Sequence, residues 1–200
     1  SMNSFDNTIN GLLAEDFKSA AAAGMIGLGA LVGPSGAQAA APSPSISRVD
    51  NSFIGKAFEY IKNNEGLKLK PYRDASGYSI GVGHFILPDE DFSGGIDETQ
   101  AQELFSKDVL AKIDVAERLF PKYNTYPDYL KIALLDGVFR GDHKSKYKTT
   151  KLINNGDFKA AARESIRNND YTTSKANNTG VWKRMLANSS AMLKFGTELR

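Results

Sequence analysis

The chain has 200 residues, a formal net charge of +2, 41% hydrophobic residues and 10% aromatic residues. That is enough apolar material for one folded domain plus an extension, and too much for a wholly disordered chain. There is no cysteine and only two histidines, His84 and His143, so disulfides and thiolate metal sites are excluded and no metal or cofactor is expected.

The small net charge hides an asymmetry. Residues 51–138 carry 10 Lys or Arg against 14 Asp or Glu, whereas residues 139–200 carry 13 against 5. A basic second half suits an anionic polymer or surface, and equally a solvated helical face.

In chain order, Ser1 precedes what looks like a natural Met2 start and is left out of the fold. Residues 1–50 read as an extension. Phe5, Ile9, Leu12, Leu13 and Phe17 fall at helical spacing, so a short amphipathic helix is expected over 3–18. Residues 20–32 are apolar and uncharged but short for a membrane span. Their length fits the apolar core of a secretion signal, and Ala37-Gln38-Ala39 offers a small-x-small cleavage pattern. Against this, Asp6, Glu15 and Asp16 outweigh Lys18 where a signal should be positive. An export signal, a transient membrane anchor and a flexible arm all fit. Residues 40–45 read as a Pro-Ser-Ala linker.

A folded domain is expected over 51–200. Ser52 can cap a helix that places Phe53, Ile54, Ala57, Phe58 and Ile61 on one face and ends at Glu65-Gly66. Short strands follow near 67–72, 77–80 and 84–87, separated by Asp74-Ala-Ser-Gly77 and Gly81-Val-Gly83. The acidic run Asp89-Glu90-Asp91 reads as a solvated loop. Asp97 with Gln100 forms a capping pair for a long helix to about Leu119. Its expected buried stripe is Ala101, Leu104, Phe105, Val109, Ile113 and Ala116. Further helices are expected near 128–139, 149–154, 157–168 and 180–195, the last stopped by Gly196 and packed by Trp182. The fold class is therefore α+β and mostly helical, with a small β-hairpin lobe and a helical lobe joined by a long helix.

Glu65 and Asp74 carry the chemistry. A helix that finishes at one acid and folds into a hairpin bearing the other brings two carboxyl groups to one cleft, the arrangement that glycosidic cleavage requires. At a helix C-terminus Glu65 meets the partial negative charge of unpaired carbonyls, which with partial burial keeps a proton on it for donation. Asp74, in a turn rich in backbone amides, stays ionised and can orient and deprotonate a water, which the Ser79 hydroxyl can hold, or support positive charge developing at the sugar. Taken singly these are a solvated helix end, a turn former and an inert strand serine.

The motif Glu65-Gly66, Tyr72, Asp74, Gly77 and Ile80-Gly81-x-Gly83-His84 resembles the catalytic hairpin of phage-type lysozymes, the muramidases of glycoside hydrolase family 24. Fainter matches continue through Ala133–Phe139, Thr149–Asn154, Gly156–Phe158, Ala160–Ala162 and Gly180-Val181-x-Lys183-Arg184, so the likeness covers roughly residues 52–196. It implies a lysozyme-like two-lobe fold and hydrolysis of the β-1,4 bond between N-acetylmuramic acid and N-acetylglucosamine. In that case Glu65 is the acid, Asp74 the base, and Ser79 takes the place of a threonine hydroxyl. The implied partner is peptidoglycan, reached by a phage-encoded monomer in the host periplasm, with no specific nucleic acid. A non-catalytic wall-binding or virion module on the same scaffold, and a lytic transglycosylase, are the alternatives.

Three departures bear on this reading. Ser79 stands one residue closer to Asp74 than in the usual pattern, and in a strand a one-residue slip turns a side chain to the other face. The basic partner of Glu65 is ambiguous between Lys183 and Arg184. Arg140 and Asp142 replace a more neutral stretch after the central helix. Phe85, Phe139 and Arg140 are candidates to line a saccharide groove, with core packing the rival role for Phe139. His84 is a further binding candidate, or a structural imidazole hydrogen-bonded near Asp74.

Overall fold

A computed structural model describes residues 49–74 and 77–199. The helix, cleavage pattern and linker expected within residues 1–48 lie outside the described residues. From Asn51 the elements run α1 (Asn51–Glu65), β1 (Lys68–Arg73), β2 (Tyr78–Gly81), β3 (His84–Phe85), α2 (Glu98–Leu119) and a single 3₁₀ turn (Tyr123–Thr125). Then come α3 (Asp128–Arg140), α4 (Lys148–Asn154), α5 (Phe158–Ser165), α6 (Asn169–Ala176) and α7 (Val181–Glu198). The architecture is α+β and mostly helical, with one small antiparallel sheet ordered β1-β2-β3.

Helix α1 starts one step earlier than Ser52 suggests. Asp50 is the cap, its carboxylate accepting from the Ser52 N–H at 3.0 Å. It buries Phe53, Ala57, Phe58 and Ile61, with Ile54 packed at the edge. The helix stops at Glu65 because Gly66 takes φ 82° and ψ 165°, a backbone open only to glycine, while its N–H still closes on the Lys62 carbonyl at 2.8 Å. Helix α2 opens on the capping box of Asp97 and Gln100, and its buried stripe is Ala101, Phe105, Val109, Ile113 and Ala116. Leu104 faces a separate cluster of Ile80, Ile96 and Ala101 under the sheet. One helix thus serves both cores, which is how the β-lobe is fastened to the helical lobe.

Helix α3 is buried nearly all round, from Leu130 through Val138, as expected of a central helix. Its N-cap is Pro127, and it ends at Gly141, whose φ of 79° gives the left-handed closing turn. Helix α7 runs through Gly196 to Glu198 rather than stopping there. That glycine is needed for contact: a Cβ on it would meet the Phe158 Cβ at 2.9 Å and the Lys159 backbone N at 3.1 Å. The helix expected over 157–168 is α5, which ends at Ser165, and an unexpected helix, α6, follows it. Asn168 caps α6 by accepting from the Tyr171 N–H. Trp182 packs α6 against α7, its backbone N–H donating to Ser174 Oγ at 2.9 Å.

Gly137 permits a second close approach. The ring of His143 lies directly on it, edge-on to Phe120 at 5.1 Å, and burial holds the imidazole down to about 4, partly opposed by Asp136. A Cβ at position 137 would stand 2.3 Å from His143 Nε2 and 2.5 Å from Cδ2. Gly137→Ala should therefore cost about 1–3 kcal/mol of stability by overpacking. Gly55→Ala, in α1 with open space at its Cβ, should stabilise by roughly 0.5–1 kcal/mol. Denaturant unfolding of the two variants reads the opposite signs.

Candidate active site

Asp74 directly follows β1 in a closed turn. Its N–H donates to the Gly77 carbonyl at 2.9 Å, and its Oδ1 accepts from the Gly77 N–H at 3.1 Å. Glycine is required at 77 because its φ is 155° and because the Phe85 ring covers it: an added Cβ would lie 2.9 Å from Phe85 Cε2. In the ladder Tyr72 pairs with Ser79, and Ser79 with Phe85. Paired residues share a face of the sheet, so Tyr72, Ser79 and Phe85 form one row across the three strands. The register is irregular between Lys68 and Tyr72, where Pro71 lacks the N–H that a regular ladder would use.

Ser79 is not turned away from Asp74. Its hydroxyl, buried in the sheet, donates to Asp74 Oδ2. Tyr72 lies on the same sheet face as Ser79. Its phenol is held above its ordinary value by burial, then by the charges of Asp74 and Glu65, with a bond to Ser79 opposing. Both carboxylates are thus within electrostatic reach of one hydroxyl.

Glu65 is the last residue of α1, about a third of its side chain open to solvent. Its Oε1 meets Arg184 Nη1 at 2.8 Å, so Arg184 rather than Lys183 is its basic partner. Lys183 is directed to the Trp182 ring, at 5.7 Å. Arg184 is itself anchored from behind: Nε donates to Asp136 Oδ2 at 2.9 Å and Nη2 to Oδ1 at 2.7 Å. Asp136 is wholly buried, and it also accepts from Asn188 Nδ2 at 2.7 Å and more distantly from Asn64 Nδ2 at 3.5 Å. Tyr60 closes the network by donating to Asn188 Oδ1 at 2.8 Å. Burial works against the Arg184 charge, yet bonds and fields from Asp136 and then Glu65 outweigh it and raise the guanidinium above its ordinary value.

None of Asp136, Asn188 and Tyr60 was singled out from sequence. Asp136 had a readable signal: it is the one acid in the apolar run Ala133–Phe139, and a buried carboxylate demands a cation.

The other candidates divide. Phe85 stays 43% exposed on the Ser79 face beside the Asp74 turn. Phe139 stacks on Phe105 at 5.8 Å and 10°, with the Lys112 ammonium 5.4 Å from its ring, so its apolar surface serves the core. Arg140 is paired with Asp142 at 2.9 Å and reaches toward Asp170 at 3.9 Å. Those two acids border a pocket of about 360 Å³ between α3, α5 and α7 that contains none of Glu65, Asp74 and Ser79. His84 bonds neither Asp74 nor open space: Nδ1 meets Asp108 at 2.8 Å and Nε2 meets Glu90 at 2.9 Å. Glu90 also accepts from the Leu87 N–H, so the acidic loop expected to be merely solvated is tied to His84, while Asp108 fastens His84 to α2. Among the described residues no group of His, Asp and Glu is arranged to hold a metal ion.

Comparison with known families gives a match to the phage lysozyme family over residues 62–187. That span includes every residue of the Glu65–Asp74 hairpin and Arg184. A search of curated proteins gives no match.

The His84 clamp predicts a pH dependence of stability. Burial works against its charge, but the bonds to Glu90 and Asp108 prevail and raise it above 6.5 in the folded protein. A raised histidine contributes fully below its unfolded value and loses that contribution as pH rises through the folded value. The loss of Tm caused by His84→Asn should thus be larger at pH 5.5 than at pH well above neutrality. Thermal unfolding of both proteins across that range checks the sign.

Proposed function

The chain belongs to the phage lysozyme family, and on that basis we propose that it hydrolyses the β-1,4 bond between N-acetylmuramic acid and N-acetylglucosamine in peptidoglycan. Family membership carries a lysozyme-type lytic action on the cell wall. The observation that supports the proposal is the pair of held acids: Glu65 closes α1 against Arg184, Asp74 follows β1 held by Gly77 and Ser79, and the Tyr72 phenol feels the charge of both.

In the proposed reaction Glu65 gives its proton to the glycosidic oxygen, and the bond from that oxygen to the anomeric carbon breaks. Asp74 takes a proton from a water that attacks the same carbon from the opposite side. The electron pair of the broken bond leaves on the protonated oxygen. Such a route needs room for water, a carboxyl separation of about 6.5–9.5 Å. The Gly77 N–H and the Ser79 hydroxyl both donate to Asp74, and donors of this kind favour its charged form. Ser79 orients the carboxylate that handles the water. Tyr72 and Phe85 lie on the same sheet face and offer flat surfaces for sugar rings.

The reading favours an enzyme over an inert wall-binding module. Two departures motivate the latter, the shortened hairpin and the altered basic pair. Ser79 nevertheless bonds Asp74, and Arg184 nevertheless bonds Glu65. The site of action is proposed to be the host cell wall from its periplasmic side.

Purified chain incubated with murein should release new reducing ends, and Glu65→Gln should lower that rate by roughly 10²-fold or more. Asp74→Asn should do likewise, while Ser79→Ala should lose less and keep a measurable rate. Anhydro ends in place of reducing ends would identify a transglycosylase. Full activity of Glu65→Gln would overturn the acid assignment.

A further inference from the structure

We propose that Asp136 is a positioning residue for the reaction: it matches the charge of Arg184, so that Glu65 faces an ion pair rather than a bare cation and keeps its proton for donation. The inference rests on Glu65 acting as the acid, as proposed above.

The conflict it resolves is plain. A general acid must carry a proton, yet a guanidinium stands 2.8 Å from Glu65. A lone opposite charge at such range lowers a carboxyl pKa by about 1–3. Arg184 is not lone. Two of its nitrogens are committed to Asp136, which is wholly buried and also holds Asn188. The field of a tight ion pair falls off much faster than that of a single charge, so Glu65 receives a hydrogen-bond donor of fixed direction with little net positive potential. Direction is secured as well. The Asp136 fork and the chain Asp136–Asn188–Tyr60 tie α3, α7 and α1 together, so Nη1 cannot leave Glu65 without breaking buried bonds.

The other charged groups around Glu65 do not substitute for this balance. From β1 and the turn after it come Tyr72 and Asp74. From α1 come the closing carbonyls, while Lys62 is paired with Glu59 and Glu98. From α7, besides Arg184, Lys183 lies by Trp182. Asp136 is thus the anion that directly meets the guanidinium from the side opposite Glu65.

The test is Asp136→Asn, which keeps an oxygen for Arg184 and removes the balancing charge. It is read by the pH dependence of kcat/KM on murein and by the ¹³C titration of the Glu65 side-chain carboxyl, assigned against Glu65→Gln. The alkaline limb and the Glu65 midpoint should both move to lower pH by about one unit, or roughly tenfold less activity at a fixed pH above the limb. The activity on the acid side of the limb should be largely kept. A uniform loss at every pH with an unmoved midpoint would reduce Asp136 to a structural role and overturn the proposal.

The double variant D136N/R184Q removes both charges and leaves no buried ion unpaired, so it carries the test if the single variant fails to fold. Its Glu65 midpoint should stay near that of the parent chain, and a displacement as large as that expected for Asp136→Asn would overturn the proposal. A parent chain that releases no reducing ends would instead refute the muramidase reading. The carboxyl titration would still decide whether Asp136 governs the Glu65 proton.

Discussion

A guanidinium almost shut off from water needs partners for its N–H groups, and Arg184 finds them on two carboxylates from two different helices. This joint is the constraint around which the candidate site is assembled. Glu65 ends α1, Asp136 lies deep in α3, and Arg184 comes from the first turns of α7. Bringing two ions out of water is expensive, and breaking a buried pair by removing one partner typically costs about 3–5 kcal/mol. The expense is met here by geometry. Both Asp136 oxygens are engaged by the Arg184 fork, and one of them also accepts from Asn188. An apolar replacement could pack α3 against α7 equally well, but it could not aim an N–H at Glu65.

The opposite side of the site is built from backbone. Asp74 is fixed by the Gly77 turn and by Ser79 across the hairpin. The hairpin is steadied at both margins. The Ile96 N–H reaches the Leu69 carbonyl at 2.8 Å along β1, and His84 bridges Glu90 and Asp108 beyond β2. The two acids thus stand in different surroundings. One meets a balanced ion pair at a helix end, the other neutral donors in a turn. Two carboxyls of the same chemical class acquire different tasks when their environments draw on different protonation states.

What could be read from sequence was whatever local chemistry decides. Helix boundaries followed caps and glycines, as with Gly66 after α1 and the Asp97–Gln100 box before α2. The paired acids were legible because spacing and turn residues place them on adjoining elements. Failures came where long-range contact decides. Gly196 looks like a stop in sequence, yet α7 needs its bareness to touch Phe158. Polar α6 has no apolar stripe to announce it, and its formation relies on the Asn168 cap and on Ser174 receiving the Trp182 N–H. The choice between Lys183 and Arg184 was invisible without knowing that Asp136 lies within reach of one of them. The main partner of His84 on the helical side was equally out of reach: Asp108 lies 24 residues away, on the next helix.

The hairpin shows where such a site has slack. A slip in a regular ladder would have sent Ser79 to the far face and left Asp74 without its hydroxyl. The observed ladder is not regular. Pro71 offers no N–H, the register shifts between Lys68 and Tyr72, and beyond that irregularity Tyr72 meets Ser79 directly. Ser79 can then bond Asp74 because the glycine at 77 accepts a backbone that side chains avoid, beneath the Phe85 ring. The strand loses regularity where only backbone pairing is at stake and keeps it where the hydroxyl must meet the acid. The acid on α1 has no such slack, since its position is set by three packed helices. Backbone slack is therefore confined to the hairpin side of the candidate site.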